Sequence, residues 1–231
     1  MKTLDDYQSG QILLIDKPLN WTSFQVVNKI RWRICKHFNI KKIKVGHAGT
    51  LDPLATGLLI LCTGKMTKRI DEFQAQTKTY TGKILLGSTT PSYDLETAID
   101  KTYPTAHITP SLIKATAKKF IGEIMQFPPM YSAVKKDGKR LYKMAREGFK
   151  VEVKARSVNV LEFEILNINE LEIEFKVVCS KGTYIRSLAH DFGKALDSGA
   201  HLIALRRTGI GDFNVNNALS IDAFIEELNG I

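Results

Sequence analysis

Apolar side chains recur along the chain with two periods, and the alternation divides it into strands and helices. The run QILLI at residues 11–15 predicts a short strand, closed by Asp16-Lys17-Pro18 because proline donates no ladder hydrogen bond. Val26, Ile30, Ile34 and Phe38 recur every four residues as the buried stripe of a helix, with Lys29, Arg33 and Lys36 on another face. Thr22 and Gln25 stand at the spacing of a capping box at its start. Residues 46–57, GHAGTLDPLATG, hold three glycines and a proline and predict a loop leading into an apolar strand from Leu58 to Cys62. Lys78 to Leu86 alternates as a strand with Tyr80, Gly82 and Ile84 on one face.

Farther on, Thr109-Pro110 pairs an N-cap with proline at the first helical position, opening a helix through Ile113, Ala117, Phe120 and Ile121. Asp137-Gly138 signals a turn between Tyr131 to Lys135 and Lys139 to Met144. Val158 to Ile165 and Leu171 to Val177 alternate on either side of Asn169-Glu170 and predict an antiparallel hairpin. Ile185, Leu188, Ala189, Phe192 and Leu196 mark a helix ending near Gly199, and Ser220 starts another. Strands mixed with helices, without regular βαβ alternation, internal repeat or linker, predict one α+β domain over residues 1–231 with a mixed, mainly antiparallel sheet.

Composition excludes global disorder: 44% hydrophobic and 25% charged residues in a chain of 231 support a sizeable core. The net charge of +9 is concentrated. Between Lys17 and Ile70 eleven basic residues stand against one carboxylate, Asp52, while the rest of the chain is almost neutral. That asymmetry predicts a local polyanion-binding surface, the alternative being a solvated basic helix without a partner. Three dispersed cysteines offer neither a disulfide framework nor a CxxC pair. With no apolar leader and no run of 18 apolar residues, the expectation is a soluble, cytoplasmic protein without a membrane partner.

Several chemistries lack their motifs. Gly64-Lys65 is not preceded by the glycine of a phosphate-binding loop, no GxGxxG follows a strand, and no GxSxG elbow is present. The five histidines show no metal-ligand spacing, so no metal is expected. Carboxylate chemistry remains, and Asp52 is its candidate: surrounding positive charge keeps a carboxylate ionised, as a nucleophile requires. Asp52 before Pro53 could equally be a helix N-cap with proline at N1.

The segment GHAGTLDPLATGLL, Gly46 to Leu59, resembles the catalytic motif of the TruB-type tRNA pseudouridine synthases. LLIDKP (Leu13 to Pro18), Lys78-Thr79-Tyr80, PPMYSAVKKDGKRLY (Pro128 to Tyr142), CSKGTYIRSL (Cys179 to Leu188) and GAHLIALRRTGIGDF (Gly199 to Phe213) extend the resemblance over most of the chain in the same order. It implies a pseudouridine synthase fold, a central sheet flanked by helices with an RNA-binding cleft, and isomerisation of uridine 55 in the TΨC loop of tRNA. By position, Asp52 matches the catalytic aspartate, Tyr80 the tyrosine stacked on the target base, and Arg186 the arginine that pairs with the aspartate. His47 matches a histidine set against the RNA loop, Lys17 and Pro18 the first family motif, and Leu205 an apolar lining residue. Asp94 falls, on a weaker match, where the family often has an aspartate.

Taken alone, Tyr80 reads equally as a half-buried strand tyrosine, Arg186 as a surface residue and His47 as a local hydrogen-bonder. His190 and His201 read as structural. Pseudouridylation breaks the N1–C1′ bond and joins C5 to C1′, so the atoms balance and no cofactor is implied. The flipped base is reached outside the stack. The carboxylate either attacks C1′ or removes a C2′ proton. Ile231 follows closely on the Ser220 helix start, so no C-terminal PUA domain and no guide RNA are expected. Lys29, Arg33, Lys36, Lys42 and Lys44 are the expected phosphate contacts. An RNA chaperone on the same scaffold is the competing reading from another class.

Overall fold

A computed structural model describes residues 2–132, 134–136, 138–149 and 153–230. In chain order it contains α1 (Leu4–Ser9), β1 (Ile12–Lys17), α2 (Ser23–His37), β2 (Val45–His47), β3 (Ala55–Thr63), α3 (Ile70–Ala75) and β4 (Lys78–Leu86). Then come β5 (Ser88–Thr89), β6 (Lys101–Thr102), α4 (Pro110–Lys118), β7 (Gly122–Gln126), β8 (Lys135–Lys136), β9 (Lys139–Arg140) and α5 (Leu141–Arg146). The chain continues through β10 (Arg156–Asn169), β11 (Glu172–Cys179), α6 (Ile185–Ala195), β12 (Ala200–Ile210), β13 (Phe213–Asn214) and α7 (Ile221–Asn229). The described residues gather into two compact units, one drawn from positions up to Tyr80 and from Leu205 onward, the other from Thr81 to Ala204. The strands are mostly antiparallel, with helices on the faces, an α+β fold as expected.

The first unit is organised around β3. β1 runs antiparallel to it from Ile12 opposite Cys62 to Lys17 opposite Gly57, β2 pairs antiparallel on its other half, and β12 lies parallel, with Leu205, Arg206 and Arg207 opposite Ala55, Thr56 and Gly57. Successive side chains of a strand point to opposite faces. Leu59 and Leu61 therefore join Ile15, Val26, Ile30 and Ile34 of β1 and α2 and Phe224 and Leu228 of α7 in one core. Leu58, Ile60 and Cys62 join Phe73, Ile210 and Val215 in another. Because both faces are covered, β3 is apolar at consecutive positions, and each fully buried leucine contributes about 2 kcal/mol.

The second unit is built on the β10–β11 hairpin, with β7 antiparallel on the outer side of β10. Phe120, Phe163, Phe175 and Phe192 pack ring against ring between the hairpin and α6. His201, read as structural, is buried against Ser88.

Some predicted boundaries shift. β1 continues through Asp16 and Lys17, which still face Leu58 and Gly57, and only Pro18 ends it. The loop predicted over 46–57 is shorter, because its two ends belong to β2 and β3. The helix expected to reach Ile121 ends at Lys118. There the backbone tightens to i→i−3 bonds, Phe120 N–H to Ala117 and Ile121 N–H to Lys118, and Gly122 at φ +107 turns the chain into β7, a strand the apolar pattern did not predict. β8 and β9 flank the expected turn, of which Asp137 lies outside the described residues. No helix among the described residues is long and apolar enough to cross a membrane.

Candidate active site and nucleic-acid interface

Asp52 is half-buried in the segment joining β2 to β3, and no helix starts at Pro53. The residues instead form a turn closed by Ala55 N–H on the Asp52 carbonyl at 3.1 Å, which removes the N-cap reading. Both neighbours of Asp52 are tied down. Leu51 N–H donates to the buried hydroxyl of Ser23 at 2.8 Å, and the hydroxyl donates back to the Leu51 carbonyl at 3.2 Å. The Pro53 carbonyl accepts from Asn20 N–H at 2.8 Å and from Lys17 Nζ at 3.4 Å. The loop thus takes its position from the first turn of α2, fixed by the predicted capping box of Thr22 and Gln25.

Two buried cations stand beneath this segment. Lys17 has no exposed surface, and its Nζ also donates to the carbonyls of Pro18 and Trp21 at 2.9 and 2.6 Å. Burial pushes its pKa down to about 8; the Asp52 carboxylate opposes that shift and the Arg207 guanidinium adds to it. Arg207, 1% exposed, donates to the carbonyls of Leu58 at 2.8 Å and Gly49 at 3.2 Å. His47, half-buried on β2, is held below its ordinary pKa by burial, with Arg207 adding to the shift and a hydrogen bond with the Gly49 backbone opposing it. Gly57 brings the strands into register: its φ is +104, and a Cβ there would lie 2.2 Å from the Arg207 carbonyl oxygen.

Lys17, His47 and Asp52 therefore share one charged environment, and Pro18 is exposed beside them with its carbonyl on Lys17. Tyr80 is buried at the first unit's end of β4, and Leu205 lies half-buried opposite Ala55. In the second unit the structure brings Arg186 and Asp94 together. Both are buried, with Arg186 Nη1 3.5 Å from Asp94 Oδ2, and Arg186 also donates to the carbonyls of Ser92 at 3.2 Å and Tyr131 at 2.9 Å. The side chain of Gln126 pins the start of α6 by accepting from Tyr184 N–H and donating to the Tyr184 carbonyl.

The basic residues lie mostly on the outside. Lys36, Lys42 and Lys44 are exposed, Lys29 and Arg33 partly so. Sequence reasoning missed Arg207 and Ser23. The readable signal for Arg207 was a pair of arginines inside an otherwise apolar segment, whereas Ser23 had none, since a serine at a helix start is ordinary.

In solved structures the chain is similar to one in a Cbf5–Nop10–Gar1 complex (TM-score 0.71, 31% identity) and one in an archaeal box H/ACA sRNP Nop10–Cbf5 complex (0.69, 27%). In both cases the match covers 97% of this chain and 57% of the other, so this chain spans little more than half of those proteins. The family description "TruB family pseudouridylate synthase (N terminal domain)" matches residues 36–185, and "tRNA pseudouridylate synthase B C-terminal domain" matches residues 186–229. A protein of Flavobacterium johnsoniae named tRNA pseudouridine synthase B is 60% identical over 98% of this chain and 99% of its own length. One of Phocaeicola vulgatus with the same name is 57% identical over 97% and 95%. The chain belongs to the TruB family of pseudouridylate synthases, enzymes of the isomerase class.

Proposed function

We propose that this chain isomerises uridine to pseudouridine in tRNA, at position 55 of the TΨC loop, without cofactor or guide RNA. The observation that carries the reading is the Asp52 turn: both chain neighbours of Asp52 are anchored, Leu51 by the Ser23 hydroxyl and Pro53 by Asn20 N–H and Lys17 Nζ, and the buried ammonium of Lys17 is close enough to interact with the Asp52 charge. The near full-length identity to proteins named tRNA pseudouridine synthase B supports tRNA as substrate.

In this reading Asp52 acts on the ribose of a flipped uridine, either by attack at C1′ or by taking the C2′ proton. The N1–C1′ bond breaks, the uracil turns, C5 bonds to C1′, and the C5 proton leaves as N1 gains one. Tyr80 gives the base a flat face that tolerates turning, and Arg186, buried beside Asp94, is the guanidinium that the family motif assigns to the catalytic set. Lys17 and Pro18 shape the floor, Leu205 the apolar wall, and His47, uncharged at neutral pH, faces the RNA loop. Lys29, Arg33, Lys36, Lys42 and Lys44 bind phosphates.

Incubation of the purified protein with an unmodified tRNA transcript, without guide or cofactor, tests the whole reading. Pseudouridine at the TΨC-loop uridine, lost in Asp52→Asn, is the expected result. Binding without product makes the protein an RNA chaperone. Product only in other RNAs, or only with a guide, defeats the tRNA assignment.

A further inference from the structure

Helix α2 carries a feature that uridine isomerisation does not use. Trp32 is 50% exposed, although an indole gains more than most side chains from burial. Three cations surround it: Lys29 Nζ at 5.8 Å from the ring centroid, Lys36 Nζ at 5.1 Å and Arg33 Cζ at 5.0 Å. The helix brings Lys29 and Lys36, three residues before and four after Trp32, onto the face of the ring, and Arg33, the next residue in the chain, bends its guanidinium over it. α2 contains no carboxylate, none of the three cations forms an ion pair among the described residues, and Arg33 Nε finds no hydrogen-bond acceptor there.

Like charges gathered around one ring repel each other, and the negative face of the indole offsets only part of that repulsion. The ligand that completes the group has a flat π-face and closely spaced negative charges, which is the description of an unpaired nucleotide. Its base lies on the ring and its phosphates take the ammonium and guanidinium groups. An acidic peptide would satisfy the charges but leave the indole exposed. Trp32 is nine residues along α2 from Ser23, roughly 13 Å from the anchor of the Asp52 turn at 1.5 Å per residue, so the base held there is a different one from the base Asp52 acts on.

We propose that Trp32, with Lys29, Arg33 and Lys36, is a second nucleotide-holding site, which stacks an unpaired base of the RNA substrate at a distance from the isomerised uridine. The inference rests on the RNA reading above, and its test separates the two. The chain has two tryptophans, and Trp21 packs against the core, so a Trp21→Phe variant leaves Trp32 as sole indole reporter. Adding an unmodified tRNA transcript quenches its fluorescence. Trp32→Ala weakens binding about tenfold, the scale of one stacked base, and Trp32→Phe restores most of it. The slope of log affinity against log salt stays unchanged in Trp32→Ala, whereas replacing Lys29, Arg33 and Lys36 together by alanine lowers it by roughly two to three.

Unchanged affinity in Trp32→Ala, or no quenching, overturns the proposal. So does a change in oligomeric state on loss of Trp32, which would make this face a contact between copies. If wild type binds the transcript with Trp32 dependence yet makes no pseudouridine, the isomerase reading fails and the Trp32 site stands. If the transcript is not bound, both fail.

Discussion

Ser23 and Leu51 are joined by two hydrogen bonds through a single buried hydroxyl, which accepts from Leu51 N–H and donates to the Leu51 carbonyl. Asp52 is the next residue, so the first turn of α2 sets where its carboxylate stands.

Replacing Ser23 by alanine leaves a buried N–H without its acceptor, at a cost of about 1–3 kcal/mol. Denaturant unfolding is expected to show that loss. Pseudouridine formation is expected to fall by more than tRNA binding, because the displaced group is the turn that carries Asp52. Equal losses in both would show that the bond serves stability alone.

Gly57→Ala is expected to be more damaging than its single methyl suggests. The residue adopts φ +104 and its Cβ would press on the Arg207 backbone, so strain and collision together cost about 3 kcal/mol or more. A thermal melt within a few degrees of wild type would contradict the close approach of β3 and β12.

Lys17 gives the fold a distinctive alkaline behaviour. The unfolded chain holds its proton to about 10.5, the folded one only to about 8, so across that window unfolding takes up a proton and the contribution of Lys17 to stability rises with pH. Lys17→Met removes this rise, which urea midpoints measured from pH 7 to 10 in both proteins will detect. Over the same window Asp52 loses its neighbouring cation, so activity is expected to decline while stability gains.

His190 works in the acid range. Its ring stacks on Tyr93 with centroids 3.9 Å apart, and burial pushes its pKa down to about 4. The unfolded chain protonates near 6.5, so stability is lost as pH falls from about 6.5 to 4. His190→Phe keeps a stacked ring and removes that proton, and its melting temperature is expected to fall less steeply than that of wild type over this range.

Local signals in the sequence were legible where one physical rule decided the outcome. The Thr22–Gln25 capping box starts α2 at the predicted residue, and strict alternation gives β4 the predicted limits, Lys78 to Leu86. Boundaries failed where tertiary contacts compete with periodicity. Phe120 continues the apolar spacing of α4, yet its ring packs on Phe163 and Phe192 from outside the helix. For the candidate site, the motif around Asp52 was readable, but the buried Arg207 that charges its surroundings was not. Burial of an arginine depends on the carbonyls of Leu58 and Gly49, more than a hundred residues away in sequence.

The C-terminal segment closes on the beginning of the chain: Leu219 exchanges backbone hydrogen bonds with Leu14 and Asp16, and Ile221, Phe224 and Leu228 fill the same core as Val26 and Ile30. During synthesis this imposes an order. Residues 81–204 are one continuous stretch and can fold as soon as they leave the ribosome, whereas the unit bearing Asp52 waits for residues that are translated after all of them. Until α7 emerges, the nascent chain carries the lysines of α2 on an unfinished core, so the Asp52 turn is among the last parts of the chain to be set in place.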